Sequence, residues 1–545
     1  DHNISTEWET TGPERREEVK GYLIKDVLGL KELYEKNNAV MYEKFKINLC
    51  DSMTASSNAY HIWKNRMNKY DINLPSRKHE TNIRKAIYGG RTQVNKRSYV
   101  SKFFKNIEDT KVLVKIDEFG NKVYKISESE YDEIDEYLFD GDIVSLYSTA
   151  MLREYPIVKE ILTDSYVEGK MGIYRCEYVA NKTLLTPILP RKENGVGLKW
   201  DLLDGSGWYS SVDIENARKA GYIVTVLEGY YWENTGKVFK EYVEVFYEMK
   251  KQAKKGTCPY LTAKIYLNSL FGKNLQASIR KKEKILCKAE EFSVLLQKNK
   301  ILEINEIDEN RWLVSYESEE NNREEYSQKP CHLGVFILSY SRQIMIEQYN
   351  LCGNSMNRMA YYYDTDSLVI PNKCFDNVKI NPELGGVMDD VGGKILKGIF
   401  IAPKLYAFKY ISEKDHTLKY HFRGKGVSTK FPAYIKTLEN RSEVVEEVVE
   451  NEDPQTRLWQ DFEKMYEGKS KEFYQNFSIK KIGLKKPSNE KCSMLSHRHI
   501  ESEQTKREIN KQRWKGRQYI NEKGESDELG DYSVPHGFDL KSIIF

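Results

Sequence analysis

Two aspartates, Asp364 and Asp366, stand on either side of a threonine between two hydrophobic runs in YYYDTDSLVI, residues 361–370. On a β-strand, residues two apart face the same way, so this spacing predicts two carboxylates side by side. Like charges so close together repel each other, and proteins usually keep such repulsion where a cation relieves it. The stretch therefore predicts a metal site whose remaining ligands come from elsewhere in the chain.

Two other stretches carry residues of matching chemistry, DIVSLYS at 142–148 and KIYLNSLFG at 264–272. Asp142 ends a predicted strand, and Lys264, Asn268 and Phe271 have the i, i+4, i+7 spacing of one helical face. Taken singly, the aspartate can be a helix N-cap and the lysine and asparagine can be a solvated helix face. Their occurrence in one order, at domain-scale spacing, favours a shared function.

The chemistry that these residues suit is nucleotidyl transfer. Two Mg²⁺ ions about 4 Å apart bridge the attacking 3′-hydroxyl and the triphosphate in that reaction. Mg²⁺ prefers carboxylate oxygens together with phosphate and water, so Asp142, Asp364 and Asp366 are the predicted metal ligands. We expect two Mg²⁺ ions, with Mn²⁺ as a substitute.

The same stretches predict groups for the phosphates. After Asp142 the pattern changes from extended to helical, so the amides of Ser145, Leu146 and Tyr147 would point outward at a helix N-terminus, where phosphates bind. Lys264 can neutralise charge on a leaving pyrophosphate.

These three stretches resemble the three polymerase motifs of the family B DNA polymerases. The first resembles D-x-x-S-L-Y-P with Ser148 in place of proline, and the second resembles K-x-x-x-N-S-x-Y-G with Phe271 in place of tyrosine. The third, Y-x-D-T-D-S, matches in full. The resemblance implies that Asp142 and Asp366 are the main metal ligands and that Asp364 is an auxiliary carboxylate.

The resemblance also assigns roles in substrate binding. It implies that Lys264 and Asn268 face the incoming nucleotide and that Tyr147 lies under its sugar and excludes a 2′-hydroxyl. Gly272 would leave room for a base pair to approach the backbone. The implied DNA-binding residues of these motifs are Ser269, Gly272 and Thr365.

Further matches point to one branch of the family. IYGGRTQV resembles the Y-x-G-G element that contacts the template, APKLYAF resembles the K-x-Y element that holds the primer terminus, and RGKGV resembles a nearby palm segment. The set most resembles the protein-primed branch of bacteriophages, adenoviruses, linear plasmids and mobile elements. Its implied partners are primer-template DNA, deoxynucleoside triphosphates and a terminal priming protein, and we expect a monomer. The residues that match these three elements are Tyr88, Gly89 and Gly90 in the first, Lys404 and Tyr406 in the second, and Lys425 in the third.

The implied fold is α+β: a right-hand polymerase with an antiparallel-sheet palm, helical fingers and a thumb, preceded by the C-terminal part of an RNase H-like exonuclease domain. Protein-primed relatives carry one insertion on each side of the second motif. The predicted divisions are an exonuclease remnant at 1–80, palm at 81–154, first insertion at 155–235, fingers at 236–274, second insertion at 275–332, palm at 333–430, thumb at 431–490 and a basic tail at 491–545.

The start of the chain resembles a third exonuclease motif, Y-x-x-x-D, at Tyr22 and Asp26. The alternative is an ordinary amphipathic helix with one tyrosine and one aspartate. Nothing before Tyr22 supplies the D-x-E pair that such a site needs, so we expect an incomplete proofreading site in this sequence.

Bulk composition narrows the remaining possibilities. The net charge of +3 over 545 residues gives no global argument for a nucleic-acid partner. Eight cysteines without a CxxC pair argue against a disulfide framework and favour an intracellular, reducing compartment. The sequence contains no run of 18 apolar residues, so it predicts no membrane span. The basic stretch 480–517 predicts either a grip on duplex backbone or a solvated surface.

Two rival functions remain. Reverse transcriptases and RNA polymerases share the two-metal chemistry, but they usually carry adjacent aspartates in the third motif, whereas Thr365 separates them here. The other rival is a catalytically inactive remnant that kept the fold and acts as a DNA-binding protein. The intact aspartates and Lys264 argue against a remnant.

Overall fold

The fold is taken from a computed structural model that describes most of the chain. The described residues are 12–52, 54–117, 120–193, 197–276, 281–286, 289–308, 311–318, 329–353, 355–378, 380–424, 454–467, 472–484, 498–508, 517–527 and 530–543. The predicted palm residue Lys425 and most of the predicted thumb lie outside them.

Helices form most of the first eighty described residues and the middle of the chain. They are α1 (Pro13–Phe45), α2 (Ala55–Ile62), α3 (Arg77–Ile83), α4 (Phe104–Thr110), α5 (Glu128–Glu133), α6 (Leu146–Met151), α7 (Ser211–Lys219), α8 (Lys240–Gln252), α9 (Cys258–Asn274), α10 (Ala289–Lys298), α11 (Cys331–Cys352) and α12 (Pro454–Tyr466).

Strands form one large sheet and several small ones. They are β1 (Thr92–Val94), β2 (Ser98–Val100), β3 (Val112–Ile116), β4 (Lys122–Lys125), β5 (Leu138–Ile143), β6 (Tyr155–Pro156), β7 (Ile161–Thr163), β8 (Met171–Val179), β9 (Arg191–Glu193), β10 (Gly197–Lys199), β11 (Gly205–Ser210), β12 (Ile223–Trp232), β13 (Thr235–Gly236), β14 (Lys281–Leu286), β15 (Asn299–Asp308), β16 (Arg311–Ser318), β17 (Tyr362–Asp364), β18 (Ser367–Pro371), β19 (Val387–Asp389), β20 (Gly393–Ala402), β21 (Leu405–Ser412), β22 (Leu418–Gly424), β23 (Glu472–Leu484), β24 (Arg498–Glu508), β25 (Arg517–Ile520) and β26 (Tyr532–Pro535).

The largest sheet has the order β1-β17-β18-β5-β20-β21-β22, with β19 paired to β5 and β2 paired to β20. Every pairing in it is antiparallel. The predicted antiparallel palm sheet is therefore present, and the strand order puts the first and third sequence motifs on neighbouring strands.

Helix α11 supports this sheet. The segment GVFILSYSRQIMIEQY has the apolar content of a buried helix, and α11 is buried along most of its length. Tyr349 of α11 packs on Tyr363 of β17 with ring centroids 4.1 Å apart. The β17–β18 hairpin thus rests on a rigid apolar base, because protein interiors are packed like crystals.

The segment between the first and second motifs folds into a unit of its own. Its four-stranded antiparallel sheet has the order β11-β8-β12-β7, and α7 packs against it. This unit occupies the range predicted as the first insertion, and we call it the first insertion below. Most of the described part of the predicted second insertion is a three-stranded sheet, β14-β16-β15, with α10.

The predicted finger helices are α8 and α9, which pack on each other. The second starts at Cys258 and includes Pro259 in its first turn. Proline is tolerated there because its missing N–H has no helical partner anyway.

The expectation of a basic tail at 491–545 is wrong for residues 517–527 and 530–543. Ser533 donates from its amide to the Asn95 carbonyl and from Oγ to the Val94 carbonyl, both at 2.7 Å. Leu202 of the first insertion donates to the His536 carbonyl at 2.8 Å. The segment carrying β25 and β26 thus joins the palm to the first insertion. Sequence 491–497 and 509–516 lies outside the described residues.

None of the helices in the described ranges combines the length and the apolar composition that crossing a bilayer requires.

Candidate active site

The aspartates of the third motif lie at the turn of the β17–β18 hairpin. Asp364 ends β17 and pairs with Ser367, so Thr365 and Asp366 form a two-residue turn. Thr365 has φ of 65°, in the left-handed region, and its amide donates to the Arg91 carbonyl at 2.7 Å. The expectation that both aspartates lie side by side on one strand is wrong, because β17 ends at Asp364 and Asp366 lies in the turn itself.

Asp142 lies beside this turn on the neighbouring strand. It is directly opposite Ser367 in the β5–β18 register, and the amide of Ile143 donates to the Asp366 carbonyl at 2.8 Å. The sheet therefore brings the first and third motifs together, as the sequence predicted.

Burial and neighbouring charge make Asp142 an unusual carboxyl group. Burial first, and then the carboxylates of Asp366 and Asp390, raise its pKa to about 7, while the ammonium groups of Lys250 and Lys264 oppose this rise. A divalent cation would relieve such repulsion.

Asp364 and Asp366 have different surroundings. Burial raises the pKa of Asp366, with additional contributions from Asp364 and Asp390, and Lys404 counteracts them. Asp364 is already paired: its Oδ1 accepts from Lys404 Nζ at 2.6 Å and from Thr92 Oγ1 at 3.1 Å. These contacts agree with a main role for Asp366 and an auxiliary one for Asp364.

The carboxylates fit a magnesium site that the substrate completes. Over the described ranges, no group of three or more His, Cys, Asp or Glu side chains is arranged to hold a metal ion by itself. Mg²⁺ is typically held by one or two carboxylates plus substrate phosphates, so a closed protein cage is not required. The mutual repulsion of Asp142 and Asp366 is the observation that fits a dication.

Asp390 was missed as a site residue. The glycines of LGGVMDDVGGK favour a turn, and Asp389 makes that turn by accepting the amides of Val391, Gly392 and Gly393 at 3.0–3.1 Å. Asp390 instead stays about half exposed and raises the pKa of Asp142 and Asp366. Only the sheet register shows this, because β19 pairs with β5 next to Asp142.

The first of the residues predicted to bind phosphates is Ser145, which has φ of 55° and lies just before α6. Leu146 is buried and Tyr147 is partly buried in the first turn of this short helix. Lys250 of α8 donates to Ser145 Oγ at 3.2 Å. Sequence reasoning missed Lys250, since a lysine on an amphipathic helix carries no signal of its own.

The second motif presents one face of α9. Lys264 and Asn268 are exposed, and Phe271 stacks on Tyr147 with ring centroids 3.9 Å apart and planes 14° apart. This contact joins the first motif to the second. Of the other two predicted contacts, Ser269 is partly buried and Gly272 borders open space.

The Y-x-G-G turn lies against the catalytic hairpin. Gly89 is exposed, whereas a Cβ on Gly90 would lie 2.8 Å from Thr365 Cγ2 and 3.2 Å from its Cα. The ring of Tyr88 is 4 % exposed and stacks on Tyr209 of the first insertion at 5.1 Å. The predicted DNA contact of Tyr88 is therefore not available to its ring, because that ring is part of the core.

The K-x-Y element is also split between surface and core. The Lys404 side chain is 46 % exposed, and its amide donates to the Tyr362 hydroxyl at 2.7 Å. The Tyr406 ring is 7 % exposed and packs on Tyr362 at 4.8 Å. Lys404 thus holds Asp364, and Tyr406 supports the strand below it.

Tyr22 and Asp26, predicted as an exonuclease remnant, lie on α1. Both are exposed, and Tyr22 is 63 % exposed. Their assignment stays a prediction.

A family model described as "DNA polymerase type B, organellar and viral" matches residues 1–108 and 121–352. Together these ranges are more than half of the chain.

Individual proteins that resemble this chain include curated relatives and a solved structure. A "Probable DNA polymerase" of Neurospora intermedia is 24% identical over 424 residues, which are 76% of this chain and 40% of that protein. One of Agaricus bitorquis is 24% identical over 430 residues, 72% of this chain and 49% of that protein. The chain thus spans less than half of these relatives. A structure of phi29 DNA polymerase matches with TM-score 0.50 and 18% identity, over 72% of this chain and 63% of that chain, which shows a shared fold.

Proposed function

Because the chain belongs to the organellar and viral type B DNA polymerases, we propose that it is a DNA-directed DNA polymerase, which adds deoxynucleotides to a primer 3′-hydroxyl in the replication of a virus, linear plasmid or mobile element. The observation that carries this proposal is that Asp142 of β5 lies beside the β17–β18 turn that contains Asp366, with Lys250 and Lys264 close by.

In this mechanism Asp142 and Asp366 would hold two Mg²⁺ ions, and the bound ions would supply Lewis acidity to the primer 3′-hydroxyl and positive charge to the leaving pyrophosphate. Lys250 and Lys264 supply positive charge on the side where the triphosphate binds. Such fixed charges stabilise the transition state more than charges that must reorganise. Lys404 keeps Asp364 paired, which leaves Asp142 and Asp366 as the two main ligands.

Primer extension tests the proposal directly. The purified chain, a labelled primer-template, deoxynucleoside triphosphates and Mg²⁺ should give extended products, and chelation by EDTA should stop them. If the protein binds primer-template but never extends it under Mg²⁺ or Mn²⁺, the proposal fails in favour of an inactive DNA-binding remnant.

We also propose priming from a terminal protein, as the insertions on both sides of the second motif suggest. The test offers a labelled deoxynucleotide and the cognate terminal protein, and transfer to a protein hydroxyl is the expected result. Absence of transfer by a preparation that extends DNA primers would remove this part alone.

Replacing Tyr147 by valine is expected to weaken the exclusion of ribonucleotides. The ring is held by its stack on Phe271, and removing it opens space under the sugar. We expect the preference for deoxynucleotides to fall by about 10- to 200-fold, the range that one misfitting group produces. The ratio of kcat/KM for a deoxynucleotide and its ribonucleotide measures this. An unchanged ratio would contradict the role of Tyr147.

Replacing Gly90 by alanine is expected to slow extension by about 10- to 100-fold. The new Cβ meets Thr365 in the catalytic turn, and displacements near 1 Å can cost about two orders of magnitude. Gly89→Ala is the matched variant, because a Cβ there meets nothing within 4 Å. Single-turnover rates compare the two, and equal rates would show that the contact with Thr365 does not matter.

A further inference from the structure

Arg342 lies on α11 and is buried, with its side chain 4 % exposed. Its Nε donates to Asp213 Oδ1 at 2.9 Å and its Nη2 donates to Asp213 Oδ2 at 2.7 Å. Nη2 also donates to Ser339 Oγ at 2.9 Å, and Nη1 donates to the backbone carbonyl of Tyr88. One guanidinium thus joins the palm helix, the first insertion and the Y-x-G-G turn.

Asp213, the acceptor on α7 of the first insertion, is equally enclosed. It is 3 % exposed and also accepts from Ser210 Oγ at 2.9 Å and Ser339 Oγ at 2.8 Å. A buried ion pair is retained at low cost only when hydrogen bonds satisfy both partners, as they do here. The planar fork of arginine is required for this geometry, since lysine offers a point charge.

The Tyr88 carbonyl is the start of a short path to the catalytic turn. Two residues later Gly90 lies against Thr365, and the next residue, Arg91, accepts the Thr365 amide at 2.7 Å. Asp366 follows Thr365 directly. Arg342 also lines the small crevice formed by Gly90, Thr365 and Tyr147.

We propose that Arg342 is a positioning residue for nucleotide addition: anchored by Asp213 of the first insertion, it fixes the Y-x-G-G turn and thereby the placement of Asp366. The inference rests on the proposed polymerase function. It gives the first insertion a direct part in the geometry of the active site, in addition to any contact that the insertion makes with a partner.

Burst kinetics separate positioning from mere stability. Arg342→Lys keeps the charge opposite Asp213 and loses the bond to the Tyr88 carbonyl. We expect the rate constant of the first nucleotide addition to fall by about 10- to 100-fold, as displacement of a reacting group predicts, with the burst amplitude per protein unchanged. A residue needed only for folding would lower the amplitude and leave the rate constant as in the wild type, and that result would overturn the proposal.

Asp213→Asn is the second variant, and it serves if Arg342→Lys does not fold. It keeps the size of the side chain and removes the charge that orients Arg342, so the rate constant should fall in the same direction; an unchanged rate constant in a folded Asp213→Asn protein would also overturn the proposal. Arg218→Lys is the matched control. Arg218 lies on α7, the helix that carries Asp213, but it is exposed and donates to the Val224 carbonyl at 3.3 Å. A wild-type protein that adds no nucleotide to the primer at all would instead refute the polymerase function itself.

Discussion

Asp366→Asn is expected to abolish measurable primer extension while leaving primer-template binding intact. The substitution keeps the shape of the turn, and the bond from the Ile143 amide to the backbone carbonyl at 366 does not depend on the side chain. It removes one of the two charges that the metal ions require. We expect a loss of at least about 10²- to 10³-fold, the effect of deleting one preorganised electrostatic group. Single-turnover extension with Mg²⁺ measures it.

Two further aspartates complete that experiment. Asp415→Asn changes a carboxylate in the turn between β21 and β22, at the end of β21 opposite to Lys404, and should extend primers like the wild type. Asp364→Asn should fall between the two, because Asp364 is already engaged by Lys404. Extension by Asp366→Asn within about tenfold of the wild type would be incompatible with the proposed metal ligation.

Ile520→Ala is expected to lower the free energy of unfolding by about 2–5 kcal/mol, the usual cost of such a cavity in a core. Ile520 is fully buried in a cluster that includes Tyr88, Val534 and Phe538. Leu540→Ala is the matched control, because Leu540 is 38 % exposed and should change the free energy by about 0.5 kcal/mol or less. Urea denaturation of both variants provides the comparison. Equal effects would mean that β25 and β26 are not part of the core.

The site aspartates were predictable because three short stretches carried their chemistry in the residue types themselves. Asp142 and Asp366 needed only the resemblance and the strand pattern to be placed together. Lys250 and Asp390 were not predictable in this way. Their proximity to Asp142 follows from how α8 and β19 pack, and single-sequence patterns carry no information on that packing.

Tyr88 and the segment carrying β25 and β26 also depart from what their local sequence predicts, because both are packed into the protein. A tyrosine before two glycines matched a DNA-contacting element, yet its ring is in a core shared with the first insertion. The basic residues before Arg517 suggested a tail, whereas Arg517 itself is buried and donates to the Ser533 carbonyl. Local composition predicts exposure only when no distant segment covers the residue.

The pairing of β5 with β18 has a consequence for how the chain folds during synthesis. Asp142 lies opposite Ser367, and the first insertion, the fingers and the second insertion are all made between them. Loop-closure entropy grows slowly with length, by about 0.6 kcal/mol for each doubling, but contacts of such long range slow folding markedly. A nascent chain therefore carries Asp142 on an incomplete sheet until β18 has left the ribosome. Under the proposed function, each new molecule is expected to stay inactive, and open to chaperones at this sheet edge, until β18 has been made and has paired with β5.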